Sequence, residues 1–307
     1  MVIGLHHVGR SVVDLDAAAA DLAAMTSWPI EKFGRGEDPL VAGREVSASA
    51  RASGPNGWIE LVQVGGEPSP RRGVNEPGVT HAAIQVGEIN DVVARLDASG
   101  IDRHPGPVEL GTGFHYLYVR DVEQLVTEVE GAPHAPADLE PWLGHGAIAT
   151  PDIDRLRTAY EGFLGANATN TVRVRNHPVF DRGAALDDVD VTATWVPTPN
   201  APVEMWQYHS PATGTNPGVA FEHPGAGHLA FETDDIDADL HRADVAGFEP
   251  RDEVADFDGV QVARVVDPDG NWVELLRFTD TADPRSLRSR PDLDRVARVN
   301  ALLHGDE

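Results

Sequence analysis

Four histidines and four glutamates recur in one register along this 307-residue chain. His7, His81, His145 and His228 each sit in a short apolar stretch. Each is followed seven residues later by Asp or Glu, then Leu or Ile, then Asp or Asn, as in Asp235-Ile236-Asp237. Further along each repeat a glutamate stands among apolar neighbours: Glu60 in Trp58-Ile59-Glu60-Leu61-Val62, Glu128 in Leu125-Val126-Thr127-Glu128-Val129, Glu204 in Pro202-Val203-Glu204-Met205-Trp206, and Glu274 in Trp272-Val273-Glu274-Leu275-Leu276. A strand carboxylate flanked by Trp272, Val273 and Leu275 is expensive to bury unless something cationic answers it. A histidine and a divalent metal ion are the natural partners. The chain has no cysteine, so any metal is held by His, Asp or Glu.

Each repeat has elements that can position these groups. A short strand carries the histidine, and the acidic or Asn residues after it suit a helix N-terminus, where side-chain oxygens meet free N–H groups. Helices are expected near 14–25, 89–98, 153–163 and 236–246, with Gly100, Gly165 and Gly247 placed to end three of them in a left-handed conformation. Three strands should follow each helix, the last carrying the glutamate. Side chains alternate faces along a strand, so a histidine and a glutamate on neighbouring strands can face one cavity. Asp267-Pro268-Asp269-Gly270-Asn271 reads as the hairpin turn before the last of these strands, not as a calcium loop.

The repeat, strand–helix–three strands, resembles the βαβββ module of the vicinal oxygen chelate superfamily, the glyoxalase I, bleomycin-resistance and extradiol dioxygenase group. The resemblance covers residues 3–278. It implies an α+β fold of four βαβββ modules paired into two cupped mixed sheets, each cup closing around a divalent metal. Gly/Pro-rich linkers within the pairs (65–78 and 210–227) and between them (131–141) suggest contiguous halves. These are residues 1–135 (modules one and two), residues 136–279 (modules three and four), and a helical tail over 280–307. By this reading one metal site is His7, Glu60, His81 and Glu128, and the other is His145, Glu204, His228 and Glu274. His6 is a rival to His7, but the seven-residue count to Asp14 favours His7. Two imidazoles and two carboxylates suit Fe, Ni, Zn, Mn or Co, leaving positions for two substrate oxygens.

Glu128 and Glu274 are candidate catalytic carboxylates, and with the second half working Glu274 outranks Glu60. Tyr118 stands ten residues before Glu128, where extradiol enzymes carry an active-site tyrosine, although Val122 and Gln124 depart from that motif. Arg264 takes the equivalent place in module four and could anchor an anion. Phe114, Tyr116 and Tyr118 should share one face, and Trp195, Trp206 and Tyr208 are core or cup wall.

Composition narrows the function classes. The formal charge of −26, spread along the chain, opposes binding to nucleic acid or anionic membranes. No apolar run approaches a membrane span and no signal peptide is visible, so the expectation is a cytoplasmic protein with a small-molecule substrate. In the tail, Leu293, Val296, Val299 and Leu303 line one side of a helix over about 292–303, which packs on the body or on a partner in a homodimer. Three functions fit the resemblance. The first is a metal-dependent lyase or isomerase of the glyoxalase I or epimerase kind, favoured by eight filled ligand positions. The second is an Fe(II) extradiol-type dioxygenase using His145, His228 and Glu274. The third is a non-catalytic binding or resistance protein, a branch that usually lacks the ligands.

Overall fold

The computed structural model describes residues 1–307 except Ala42, His134, Ala137 and 305–307, and gives only the backbone of 301–304. The four helices of the repeats span Leu15–Thr26, Ile89–Ser99, Ile153–Leu164 and Ile236–Val245. Asp14, Glu88, Asp152 and Asp235 cap their N-termini, each accepting a backbone N–H of the first turn. Gly100 and Gly165 close two of them in the left-handed conformation; Ser27 takes that role in module one, and Gly247 follows one residue after the cap in module four.

In every module the histidine strand runs parallel to its own glutamate strand, with the other strands outside. The registers coincide. Glu60, Glu128, Glu204 and Glu274 lie opposite Gly9, Ala83, Ala147 and Ala230, each two residues beyond its module's histidine. Since side chains two apart share a face, the histidine and the glutamate of each module point to the same side of their sheet.

The pairing of modules differs from the contiguous halves expected above. One nine-stranded sheet joins modules four and one, with Gly227–Thr233 antiparallel to Val2–Val12 at its centre. The other joins modules three and two, with Trp142–Ala149 antiparallel to Gly78–Val86. The boundary near 135 therefore falls inside a sheet, and residues 1–135 and 136–279 each contribute one module to each sheet. The linkers over 64–77 and 211–226 are crossovers from one sheet to the other. At about 3.3 Å per residue either is long enough to make that crossing.

Between the sheets lies one apolar core that includes Leu5, Val8, Ile84, Leu143, Ile148 and Leu229. The approach is close: a Cβ on Gly146 would stand 2.7 Å from Leu229 Cδ2. Two asparagines tie the sheets together. Asn200, in the turn before the module-three glutamate strand, accepts from Leu5 N (2.9 Å) and donates to Leu5 O (2.9 Å) and Asn56 O (2.7 Å). Asn56, at the matching turn of module one, accepts from Leu143 N (2.9 Å) and donates to Leu143 O (2.8 Å). Both side chains are buried. Asn200→Ala would strand three backbone partners, so guanidinium unfolding should show a loss of about 3 kcal/mol. A loss under about 0.5 kcal/mol would refute this clasp.

The tail forms a helix over Leu293–His304, in which Val296 and Val299 pack with Trp142 and Leu139; the side chain of Leu303 lies outside the described residues. Asn300 fixes the helix to the sheet, accepting from Trp142 Nε1 (3.0 Å) and donating to Asn200 O (2.9 Å). Among the described residues no helix is long and apolar enough to cross a membrane.

Candidate functional site

The eight predicted ligands meet in fours, one cluster per sheet, with partners exchanged relative to the sequence reading. His81 and Glu128 meet His145 and Glu204; His7 and Glu60 meet His228 and Glu274. The three-ligand set His145, His228 and Glu274 is divided between sheets and cannot hold one ion.

In the first cluster, formed by modules two and three, His145 Nε2 lies 3.2 Å from Glu128 Oε2 and 3.0 Å from Glu204 Oε2. His81 Nε2 lies 3.2 and 3.6 Å from the same oxygens. One donor atom from each of the four residues falls within 4.8 Å of all the others. The groups are buried, yet His81 Nε2 and His145 Nε2 have no hydrogen-bond partner of acceptable geometry. Thr80 Oγ1 lies 3.0 Å from His81 Nδ1, and Trp206 Nε1 donates to Glu204 Oε2 at 2.5 Å. Burial depresses the imidazoles, but Glu128 and Glu204 outweigh it and both pKa values lie above the ordinary histidine value, His145 well above. Against the same burial, the two imidazoles hold both carboxyls below the usual carboxylate range. Such a cluster attracts positive charge, and two unpartnered imidazole nitrogens facing two carboxylate oxygens fit a divalent metal.

Above this cluster opens a cavity of about 700 Å³. Its wall includes Phe114, Tyr116 and Tyr118, which share one face as expected, together with Trp195 and Trp206; Tyr208 packs in a small core beside it. Tyr118 is the hairpin partner of Glu128, and its ring centroid lies 5.3 Å from that of His81. Burial and the adjacent Glu128 raise its pKa well above the usual tyrosine value, so the phenol keeps its proton. Glu130, two residues past Glu128 on the same face, also lines the cavity; Gln85 Nε2 donates to it at 2.8 Å. Burial, opposed by His145, pushes Glu130 up to about 7. Period two along the strand could have revealed this residue.

The second cluster, formed by modules four and one, has the same backbone register but a different setting. His7 Nε2 and His228 Nε2 lie 3.1 Å apart, with the ring of His228 over Gly9, where a Cβ would come within 1.8 Å of it. Glu60 Oε2 is 3.8 and 3.6 Å from these nitrogens, and Glu274 Oε2 is 3.7 and 3.5 Å away. Both carboxylates already hold cations. Arg44 Nη1 donates to Glu60 Oε2 at 2.7 Å, and Arg264 Nε donates to Glu274 Oε1 at 2.8 Å. Phe221, from the second crossover, lies beneath both guanidiniums (4.1 and 5.0 Å) and against His228. Arg264 is thus a partner of Glu274 rather than a free anion anchor. His6 does not reach the cluster: it stacks on Trp58 and bonds His7 Nδ1 at 2.8 Å. Burial first, then His6 and His228, holds His7 well below the ordinary histidine value.

The residue opposite each glutamate in its hairpin marks the difference. It is Arg51 and Arg264 in the arginine-filled cluster, and Tyr118 and Trp195 in the open one. Arg51 pairs with Asp38 at 3.1 Å, and Arg44, from an irregular segment, takes the place at Glu60. Nothing in the local pattern around Arg44 or Phe221 announces these roles.

Residues 142–275 match the family model for the glyoxalase/bleomycin resistance protein/dioxygenase superfamily. Modules three and four are a domain of this superfamily. The matched stretch is modules three and four, one from each sheet, so the superfamily unit in the sequence is divided between two sheets in the fold. Glyoxalase I from Zea mays superposes with a TM-score of 0.63 at 18% identity, covering 94% of this chain and 96% of that one. A point mutant of the same protein gives 0.66 at 18% identity, covering 89% and 93%. A putative dioxygenase from Bacillus subtilis gives 0.58 at 14% identity, covering 94% and 90%. These likenesses show the fold. No curated protein sequence matches the chain.

Proposed function

We propose that this chain is a metal-dependent lyase or isomerase of the glyoxalase I or epimerase kind, with one working centre made of His81, Glu128, His145 and Glu204. The observation that carries the reading is the pair of unpartnered imidazole nitrogens facing two carboxylates on the floor of an aromatic cavity. A divalent ion held there would supply Lewis acidity toward two neighbouring substrate oxygens. The chain's own groups divide the remaining work. Trp206 tethers Glu204, whereas Glu128 faces the two imidazoles at 3.2 Å with no hydrogen bond to hold it among the described residues. Glu128 is therefore the carboxylate free to take a proton from the substrate carbon and return it. Tyr118 offers a proton-bearing phenol beside it, and the aromatic walls exclude water.

Metal analysis tests the proposal. Protein purified without added metal should carry about one equivalent of first-row metal per chain. After chelation, restoring Zn, Ni or Fe(II) at about a hundred times its Kd should return about 2.7 kcal/mol of stability. Absence of metal together with no thermal shift on adding any of these ions would rule the centre out. A second reading, Fe(II)-dependent ring cleavage, is favoured by the position of Tyr118 over His81. Oxygen uptake with catechols under Fe(II) would select it, and turnover without oxygen selects the isomerase.

A further inference from the structure

We infer that the cavity over His81, Glu128, His145 and Glu204 selects a substrate with no negative charge of its own, whose paired oxygens are borne on a flat, largely apolar body. The inference rests on the assignment of that cavity as the working site, and concerns what enters it. Every Arg and Lys of the chain lies among the described residues, and none of them lines the cavity. The strand Thr171–Arg175 shows how this is arranged. Val172 and Val174 line the cavity, while Arg173 between them turns to the other face and forms a two-pronged pair with Asp190 (2.7 Å for each contact). The walls are Phe114, Tyr116, Phe180, Trp195 and Trp206, which offer ring faces and edges rather than cations.

Apart from the imidazole of His145, which would hold the ion, the charged side chains that reach the cavity are carboxylates. Glu128 and Glu204 would balance the charge of a divalent ion, and Glu130 adds a third carboxyl beside them. A carboxylate or phosphate on the substrate would lose its water and meet hydroxyls and amides but no guanidinium or ammonium group. The arginine-filled cluster in the other sheet makes the contrast, for there guanidiniums stand directly on Glu60 and Glu274. A volume of about 700 Å³ accommodates a body larger than a single benzene ring.

Two ligands of similar shape, 4-methylcatechol and 3,4-dihydroxybenzoate, differ at one substituent by an anionic charge. Their binding to the full chain loaded with zinc, which is redox-inert, can be followed by calorimetry and by quenching of Trp195 and Trp206. The methyl compound should bind at least tenfold more tightly. Equal or tighter binding of the carboxylate, or no binding of 4-methylcatechol, would overturn the inference. Asn170 is exposed on the rim, and Asn170→Arg should strengthen benzoate binding several-fold while leaving the methyl compound unchanged; no change for the benzoate would also count against it. Measuring both ligands after chelation separates the two ideas. A methyl preference that persists without zinc dependence would contradict the metal centre and leave the charge preference standing.

Discussion

His145→Ala should strip the protein of its metal and lower turnover by at least about a thousandfold, whereas His228→Ala should leave both within about twofold. The two histidines hold equivalent places in their sheets, and only their surroundings differ. His145 Nε2 is an unpartnered donor open to a cavity, while His228 lies under Phe221 in a cluster whose carboxylates already hold Arg44 and Arg264. The same asymmetry should appear in the carboxylates. Glu128→Gln should cost about 10² to 10⁴ in turnover, because the amide cannot take the substrate's proton. Glu274→Gln should leave turnover nearly intact and lower stability, because it unpairs Arg264. The ranking of Glu274 over Glu60 read from contiguous halves gives way to one between sheets, since both of those carboxylates stand in the arginine-filled cluster. Metal content by atomic emission and turnover on any substrate found by screening decide it; equal losses from His145→Ala and His228→Ala would mean two equivalent centres.

Arg44→Met should destabilise the chain by about 3–5 kcal/mol in metal-free buffer, because fully buried Glu60 loses the cation that answers it and must either stay charged and unpaired or take up a proton. The arginine does in this sheet what an ion would do in the other. The variant should therefore regain most of the loss when zinc or nickel is supplied, and its metal content should rise from about one toward two per chain. Thermal melts with and without metal, together with metal analysis, give both readouts. A melting temperature unchanged from the parent in metal-free buffer would show that Arg44 contributes no such compensation. Unchanged metal content despite a large loss of stability would show that His7, Glu60 and His228, although within 4.8 Å of one another, take up no ion when Arg44 is gone.

The repeat itself was legible because it rests on local rules. The acid seven residues past each histidine becomes the helix cap, and the glutamate falls on a strand whose parallel register with the histidine strand is fixed by the module. His7, His81, His145 and His228 could therefore be picked out from thirteen histidines. The exchange of partners could not be read. All four histidine strands offer a similar edge, and the loops over 64–77 and 211–226 are long enough to turn back or to cross. The choice is made by inter-sheet packing around Gly146 and Leu229 and by the clasp of Asn56 and Asn200, contacts between segments about 80 to 195 residues apart. Arg44 and Phe221 were invisible for the same reason, since each comes from irregular backbone and acquires its meaning only against a distant glutamate or histidine.

The pairing of the first module with the last has a consequence for how the chain is made. Val2–Val12 emerges from the ribosome well before its antiparallel partner, Gly227–Thr233. At 5–20 residues per second the opening strand waits roughly 10–45 s for that neighbour. Modules two and three, adjacent in the chain, can complete their own sheet in the meantime. The nascent protein would then expose the unpaired backbone edge of Val2–Val12 during synthesis, a period in which a chaperone, or mispairing with another copy, competes with the late-arriving fourth module.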